Sequence, residues 1–152
     1  MHDEDRPTLH HIGYVVASIA PAMEGFLRSL NASWDHKIFE DPTQKVRVAF
    51  LTTSAGEPQI ELVEPLSDRS PVHRFLNEKG GGLHHFCYET TNLEAGLRDF
   101  RSRKAILVSH PVPAVAFDGR RIAWVLTREN LLVELLERTS EAAYSTEGKG
   151  KE

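Results

Sequence analysis

The sequence predicts an α+β fold in which two βαβββ modules stand in tandem and form a metal-lined cavity. The first observation is an internal repeat: residues 10–14 read HHIGY and residues 84–88 read HHFCY. The second is a glutamate within an apolar segment 50 residues after His11, and another 49 residues after His85. These glutamates, Glu61 and Glu134, lie 73 residues apart, and the two histidines lie 74 apart. The chain therefore repeats one module that begins with a histidine and ends with a glutamate.

The first module is predicted to span residues 9–65. Residues 9–16 are predicted to form a strand, because the apolar residues at 12, 14 and 16 recur at every second position. Ser18 is expected to cap a helix that has Pro21 in its first turn and ends near Asn31. Apolar residues at i, i+3, i+4 and i+7 give that helix one buried face: Met23, Phe26, Leu27 and Leu30. Strands are predicted at 34–39, 46–52 and 59–63, separated by turn sequences at 41–43 and 54–56.

The linker, residues 66–82, is predicted to contain a short helix that opens at Ser70 and Pro71 and ends in three glycines. The second module, residues 83–137, repeats the order of the first. A strand at 83–89 is followed by a helix capped by Asn92 and by strands at 106–109, 121–126 and 131–136. Residues 1–8 are expected to be a flexible N-terminus, and residues 138–152, which have no periodicity, a disordered tail.

Length and composition favour a single globular domain at residues 9–137. Apolar residues make up 40% and charged residues 26% of the 152, which is ordinary for such domains. The net charge of -4 gives no electrostatic reason to expect nucleic acid or an anionic membrane as a partner. We see no apolar segment of membrane-spanning length and no export signal. One cysteine, Cys87, allows no internal disulfide and favours a cytoplasmic location.

Strand alternation predicts which side chains face the cavity. Side chains point alternately to the two faces of a strand. The apolar residues at 12, 14 and 16 belong against the helix, so His11 faces the other way, and residues 60 and 62 place Glu61 beside it. The second module places His85 and Glu134 in the same positions. The same alternation directs His84 to the helix side.

Each of these four residues alone could be an ordinary one, a satisfied core histidine or a glutamate that reaches solvent. Together they occur at matched positions of a repeat, and a carboxylate inside an apolar strand is costly to bury without a partner. Two imidazoles and two carboxylates suit a divalent transition-metal ion. The metal ligands are therefore predicted to be His11, Glu61, His85 and Glu134. Cys87 is expected to face the cavity as a small buried thiol.

Five stretches of the chain resemble the vicinal oxygen chelate superfamily, which has the glyoxalase fold. They are residues 11–13 (HIG), 60–65 (IELVEP), 70–72 (SPV), 81–86 (GGLHHF) and 132–135 (LVEL). Within the superfamily the chain is most similar to methylmalonyl-CoA epimerases. The resemblance implies the same four ligands, a divalent ion such as cobalt, nickel, zinc or manganese, and epimerisation of an acyl thioester through a metal-stabilised enolate. It also implies a homodimer.

The chain departs from that pattern at two places. Val48 stands where some bacterial epimerases carry a glutamate base, and residues 127–130 replace a longer turn. The catalytic acid and base are therefore expected to be Glu134 and Glu61 themselves, as in glyoxalase I-like sites. A carboxylate acting this way needs its pKa raised toward neutrality by burial.

Three other functions remain open. A glyoxalase I-like lactoylglutathione lyase would use the same two-histidine, two-glutamate set on a hemithioacetal. A non-catalytic drug-binding protein of the same fold would lack this set. A ring-cleaving dioxygenase fits less well, because its site uses two histidines and one carboxylate. The expected partner is therefore a small-molecule thioester or hemithioacetal, with no nucleic acid and no membrane.

Overall fold

A nine-stranded mixed sheet frames the protein, which this computed structural model describes over residues 6–139. The first module contains β1 (Thr8–Val15), α1 (Ile19–Leu30), β2 (Ser33–Trp34), β3 (Phe39–Asp41), β4 (Val46–Thr53) and β5 (Gly56–Pro65). After α2 (Pro71–Lys79), the second contains β6 (Gly82–Thr90), α3 (Leu93–Ser102), β7 (Ile106–Pro113), β8 (Arg121–Leu126) and β9 (Leu132–Glu137). The predicted α+β fold class is confirmed.

The strand order shows an approximate two-fold relation between the modules. It runs β2-β4-β5-β1-β6-β9-β8-β7, with β3 paired to β4. The pairs β1–β5 and β6–β9 are parallel, whereas β1 and β6 are antiparallel and join the modules. The four central strands are therefore those that carry the two histidines and the two glutamates.

Each module packs its long helix against one face of the sheet. Repeat-related residues fill the two helix-facing cores: Tyr14, Ile19, Met23 and Leu62 in the first, and Tyr88, Leu93, Leu97 and Leu135 in the second. Leu62 and Leu135 are both fully buried, and burying one leucine side chain stabilises a fold by about 1.5–3 kcal/mol. Because these residues face the helices, alternation turns Glu61 and Glu134 to the opposite face.

The helix ends agree with the predictions in position, but not always in their contacts. Asn92 caps α3 as expected, because its Oδ1 accepts a hydrogen bond of 3.0 Å from the Ala95 N–H. Ser18 precedes α1, yet its side chain makes no capping bond. The Ile19 N–H donates instead to Glu64 Oε1 at 3.0 Å. A carboxylate at a helix N-terminus stabilises the helix dipole, so β5 supplies the cap of α1.

Three elements differ from the sequence-based expectation. The strand predicted at 34–39 is broken, because His36 has a positive φ of 65° and Asp35 Oδ1 accepts from the Lys37 N–H. The strand from Ile106 continues to Pro113, and a 3₁₀ helix, Val115–Phe117, follows it. Periodicity over so few residues does not predict such a helix.

The ends of the domain lie close to the expected limits. β1 begins at Thr8, one residue inside the segment expected to be flexible. At the other end the Arg138 N–H donates to the Thr90 carbonyl at 2.7 Å. Residues 1–5 and 140–152, which hold most of the expected flexible N-terminus and disordered tail, lie outside the described residues.

Candidate metal centre

Strand pairing brings the four predicted ligand residues together around two small residues. Gly13 of β1 pairs with His85 on β6 and with Glu61 on β5. Cys87 of β6 pairs with His11 on β1 and with Glu134 on β9. The four functional side chains therefore come from four adjacent strands and converge on the face opposite α1 and α3.

Nitrogen and oxygen atoms of these side chains lie close together, and the ligand atoms of His11, His85 and Glu134 all lie within 4.8 Å of one another. The Nε2 atoms of His11 and His85 lie 3.2 Å apart. His11 Nε2 lies 3.3 Å from Glu134 Oε1 and 3.6 Å from Glu61 Oε2, and His85 Nε2 lies 3.4 Å from Glu61 Oε1. All four residues are buried, with exposed fractions of 0–5%. Such a set of buried acceptor atoms needs a cation, either protons or a metal ion.

The spacing of these atoms fits a metal ion. Metal–ligand bonds of about 2.0–2.1 Å place neighbouring ligand atoms roughly 3.0 Å apart in an octahedron and roughly 3.4 Å apart in a tetrahedron. Three of the observed separations, 3.2, 3.3 and 3.4 Å, lie within this range, and the fourth, from His11 Nε2 to Glu61 Oε2, is slightly longer at 3.6 Å. In addition, Glu134 Oε1 is buried and receives no hydrogen bond of good geometry. The donor set therefore fits a divalent transition-metal ion.

Gly13 makes the room that the His85 ring occupies. A Cβ atom at this position would lie 2.0 Å from His85 Cε1 and 2.6 Å from Nε2, far inside van der Waals contact. The repeat-related position in β6 is Cys87, so the two halves of the centre are not identical. In the HIG sequence of β1, the histidine is therefore a candidate ligand and the glycine leaves the space that the His85 ring needs.

Electrostatics within the centre couple His11 to the carboxylates. Burial lowers the pKa of His11, but the charges of Glu61 and Glu134 outweigh burial and raise it above its usual value. Burial raises the pKa of Glu134, whereas the neighbouring His11 and His85 lower it, and the net direction is downward. Without a metal ion, Glu134 is therefore held ionised rather than raised toward neutrality as expected from burial alone.

The prediction that His84 faces the helix is wrong. His84 lines the cavity, and its Nδ1 lies 2.9 Å from His85 Nδ1. His10 has the same relation to His11, with an Nδ1–Nδ1 distance of 2.9 Å. Burial and the neighbouring His85 lower the pKa of His84 to about 4, and burial and His11 lower that of His10. Regular alternation fails at both residues because the strands bulge there.

Cys87 lies next to the centre and is fully buried as expected, but it belongs to a core cluster and is not among the residues that line the cavity. Burial and the nearby Glu134 raise the pKa of its thiol well above the usual value. A protonated thiol is a poor metal ligand, because metals bind the thiolate. Cys87 is therefore a packing residue whose thiol lies beside the carboxylate.

Two aromatic residues that the sequence reasoning missed hold the histidine rings. Phe50, the cross-strand partner of Glu61, packs edge-on against His11 at 5.5 Å between ring centroids. Trp124, the partner of Glu134, packs against His85 at 4.7 Å. Phe50 and Trp124 are 74 residues apart, the same spacing as the histidines, so the repeat itself carried the signal.

The centre lies at the floor of a cavity of about 320 Å³. Glu61, His85 and Glu134 provide polar atoms there, and the walls are mostly apolar, with Val46, Val48, Val63, Val72, Ile122 and Trp124 among the lining residues. Val48 is 6% exposed and faces this space. The position that the sequence resemblance compares with a glutamate base is thus part of the apolar wall.

Asp41, also missed by the sequence reasoning, closes the cavity wall between the modules. Its Oδ1 accepts hydrogen bonds from the Thr43 and Gln44 N–H groups, and its Oδ2 accepts one of 3.2 Å from the Val115 N–H. Three backbone donors satisfy this buried carboxylate, so we assign it a structural role. It ties the β3–β4 turn to the 3₁₀ helix of the other module.

The fold and this buried His/Glu centre define the class of protein. The sequence profile of the Glyoxalase/Bleomycin resistance protein/Dioxygenase superfamily matches residues 10–124. The chain belongs to this superfamily, as its resemblance to vicinal oxygen chelate proteins led us to expect. None of the helices in residues 6–139 has the length and apolar character that crossing a membrane requires.

Within the superfamily, the chain is similar to methylmalonyl-CoA epimerases and to an uncharacterized protein. It is 37% identical over 131 residues to the uncharacterized protein YqjC of Bacillus subtilis, covering 85% of this chain and 91% of that one. The structure of methylmalonyl-CoA epimerase from Mycobacterium tuberculosis matches with a TM-score of 0.77 and 27% identity, covering 90% and 91%. A variant of Streptomyces coelicolor methylmalonyl-CoA epimerase in complex with 2-nitronate-propionyl-CoA matches with a TM-score of 0.73 and 25% identity, covering 87% and 97%.

Proposed function

We propose that this protein is a divalent-metal-dependent epimerase or isomerase of an acyl thioester, similar to methylmalonyl-CoA epimerase. The observation that carries the proposal is the convergence of His11, Glu61, His85 and Glu134 at the floor of an apolar cavity. The similarity to epimerases over most of the chain supports the same reaction class. The cytoplasmic location and the homodimer stay predictions.

The metal ligands in this proposal are His11, Glu61, His85 and Glu134, and the ion is cobalt, nickel, zinc or manganese. A divalent ion bound there would act as a Lewis acid that makes the carbon next to a thioester carbonyl more acidic. Among the described residues, neither lysine nor arginine lines the cavity. Among these residues, the positive charge that balances a substrate carboxylate would therefore come from a metal ion at the centre, which favours substrates with two neighbouring oxygens.

The two glutamates are the proposed acid and base. Glu134 is held ionised by its histidine neighbours, and an ionised carboxylate is the form that accepts a proton. It would take the proton from the carbon next to the carbonyl on one face, and Glu61, protonated at the start of the turnover, would give its own proton to the other face. The carbon is then inverted, Glu134 holds the abstracted proton and Glu61 is ionised, and proton exchange with solvent restores the starting state.

The surrounding residues would exclude water and orient the substrate. The apolar walls keep the reacting carbon in a low-dielectric space, in which the charges of the centre act more strongly than in water. The structure of the Streptomyces coelicolor relative contains a coenzyme A compound. We extend that carrier to this chain as a proposal, with the acyl group in the cavity and the carrier outside it.

Proton NMR of methylmalonyl-CoA in deuterated water tests this function. The protein is reconstituted separately with cobalt, nickel, manganese and zinc, and loss of the α-proton signal is followed, with diamagnetic zinc as the reference condition. We expect metal-dependent exchange that His85→Ala abolishes and that the control His73→Ala retains, because His73 lies in α2 and is not among the residues that line the cavity. Equal exchange without metal, or in His85→Ala, would contradict a metal-dependent mechanism.

A glyoxalase I-like lyase is the second candidate, and the apolar Val48 wall favours it. With no carboxylate there, both proton transfers depend on the ligand glutamates, as in glyoxalase I-like sites. Turnover of the glutathione hemithioacetal of methylglyoxal, with no exchange on methylmalonyl-CoA, would support this candidate. Tight metal binding without turnover of either substrate would instead indicate a non-catalytic binding protein.

A further inference from the structure

The strand that carries His11 contains a bulge immediately before it. In the β1–β6 ladder, Leu9 pairs with Tyr88 and His11 pairs with Cys87. β1 thus advances two residues where β6 advances one, and His10 is the extra residue. A bulge re-aims side chains that regular alternation would place on opposite faces. It therefore brings the rings of His10 and His11 within reach of each other.

The strand that carries His85 contains the matching bulge. Gly13 pairs with His85 and Tyr14 pairs with Leu83, so β6 advances two residues where β1 advances one. The extra residue here is His84. Both modules therefore interrupt their central strand at the residue before the candidate ligand, and both place a histidine there.

In each pair, one hydrogen must lie between two ring nitrogens. The Nδ1–Nδ1 distance is 2.9 Å in both pairs, which is the length of a good hydrogen bond. A neutral imidazole carries its hydrogen on one nitrogen only. We call the rings of His11 and His85 the inner rings and those of His10 and His84 the outer rings. If the inner ring donates through Nδ1, its Nε2 has a free lone pair. If the outer ring donates, Nε2 of the inner ring carries the hydrogen and cannot bind a metal ion.

We propose that His10 and His84 are positioning residues that accept a hydrogen bond from Nδ1 of His11 and His85 and so hold the two Nε2 lone pairs toward the metal ion. The inference rests on the metal site of the proposed function. The Nε2 atoms already point at each other across 3.2 Å and at the carboxylates. Partners of this kind fix ring orientation and raise ligand basicity in metal sites.

Each outer ring is itself held in place by aromatic residues. Phe117 packs edge-on against His10 at 5.5 Å between centroids, and Phe75 of α2 packs against His84 at 4.9 Å. The outer rings are therefore fixed acceptors. Because His84 also lines the cavity, a substrate in that space would contact this ring.

Zinc binding by paired variants tests the proposal. His84→Leu removes the acceptor, whereas His84→Asn keeps one, because its Oδ1 can occupy the position of the imidazole Nδ1. Loss of such a partner typically weakens metal binding about 10–100-fold, so we expect that rise in Kd for Leu and roughly threefold or less for Asn. The pair His10→Leu and His10→Asn should behave alike, and His73→Leu should match the wild type.

The outcomes separate this inference from the proposed function. Wild-type affinity in both Leu variants, or an equal loss in the Leu and Asn variants, would overturn the positioning role and leave the metal site intact. Failure of the wild type to bind zinc, cobalt, nickel or manganese would overturn the metal site itself. Circular dichroism of each variant identifies any that does not fold.

Nuclear magnetic resonance of the wild type decides the question without a variant. With ¹⁵N-labelled histidines, a scalar coupling across the hydrogen bond should connect the Nδ1 atoms of His84 and His85, and those of His10 and His11. The hydrogen should be attached to the inner ring in the zinc-loaded protein. A hydrogen attached to the outer Nδ1, or the absence of both couplings, would refute the proposal.

Discussion

Replacement of Gly13 by alanine should remove His85 from the metal centre. The added Cβ would lie 2.0 Å from His85 Cε1, whereas ordinary contacts begin near 3.4 Å. The ring must therefore move by about 1.4 Å, and metal–ligand distances tolerate only about ±0.2 Å. The strand cannot yield instead, because Gly13 is paired on both sides, with Glu61 and with His85. Removing a residue that hydrogen-bonds to a metal ligand weakens metal binding by up to roughly 100-fold. Because Gly13→Ala displaces the ligand itself, we expect a larger fall in zinc affinity.

The same substitution should also destabilise the protein without metal. Forcing an atom into a packed interior typically costs about 1–3 kcal/mol. Gly25→Ala is the matched control, because Gly25 lies within α1 and a Cβ there meets nothing within 4 Å. That change should stabilise the protein by about 0.5–1 kcal/mol and leave zinc affinity unchanged.

Isothermal titration with zinc and urea unfolding of the metal-free protein measure the two effects. The distinguishing result is a loss of affinity in Gly13→Ala that is absent in Gly25→Ala. Wild-type zinc affinity in Gly13→Ala would refute the placement of His85 against Gly13, or its role as a ligand.

Four further predictions follow from the centre and from the caps of α1 and α3. Glu134→Gln should abolish proton exchange while keeping measurable zinc binding, and full activity in this variant would exclude Glu134 as the base. The pKa of His11 is raised above 6.5, so protons begin to compete with the metal for this ring at a pH above 6.5. Zinc affinity should then fall about tenfold for each pH unit below that pKa. Zinc affinity that stays constant from pH 8 to 5.5 would contradict this prediction. Glu64→Ala should lower the free energy of unfolding in urea by about 1–3 kcal/mol, because the Ile19 N–H at the start of α1 loses its acceptor. Asn92→Ala should lower it by about 1 kcal/mol, because α3 loses its N-cap. An unchanged free energy of unfolding in either variant would show that the corresponding cap does not stabilise the protein.

Most of the fold follows from patterns that are local along the chain. The period of 3.6 in α1 and α3, alternation in the central strands, and a capping residue such as Asn92 each depend on a few neighbouring residues. The repeat supports these assignments, because a strand or helix predicted in one module is expected at the matching position of the other. The spacing of 74 residues relates Tyr14 to Tyr88 as well as His11 to His85. Periodicity does not reveal the break after Trp34 or the 3₁₀ helix at Val115, because each involves too few residues for a repeating pattern to be recognised.

The four candidate ligand residues were also accessible to sequence reasoning. His11 and Glu61 each interrupt an apolar strand on the face away from the helix, and their repeat partners do the same. Strand order was not needed, because the two-fold relation follows once the module is seen twice. That they bind a metal ion stays a proposal, for which the separations of 3.2–3.6 Å between their nitrogen and oxygen atoms give physical support.

The contacts that surround these residues depended on the three-dimensional arrangement. A bulge is a mismatch between two strands that are far apart in the sequence, so alternation along either strand assigns His84 to the wrong face. The space at Gly13 is defined by a ring from β6, and the cap of α1 comes from Glu64 of β5. Local pattern therefore predicts which face a side chain takes where strands are regular, whereas pairing between distant strands decides where that regularity fails.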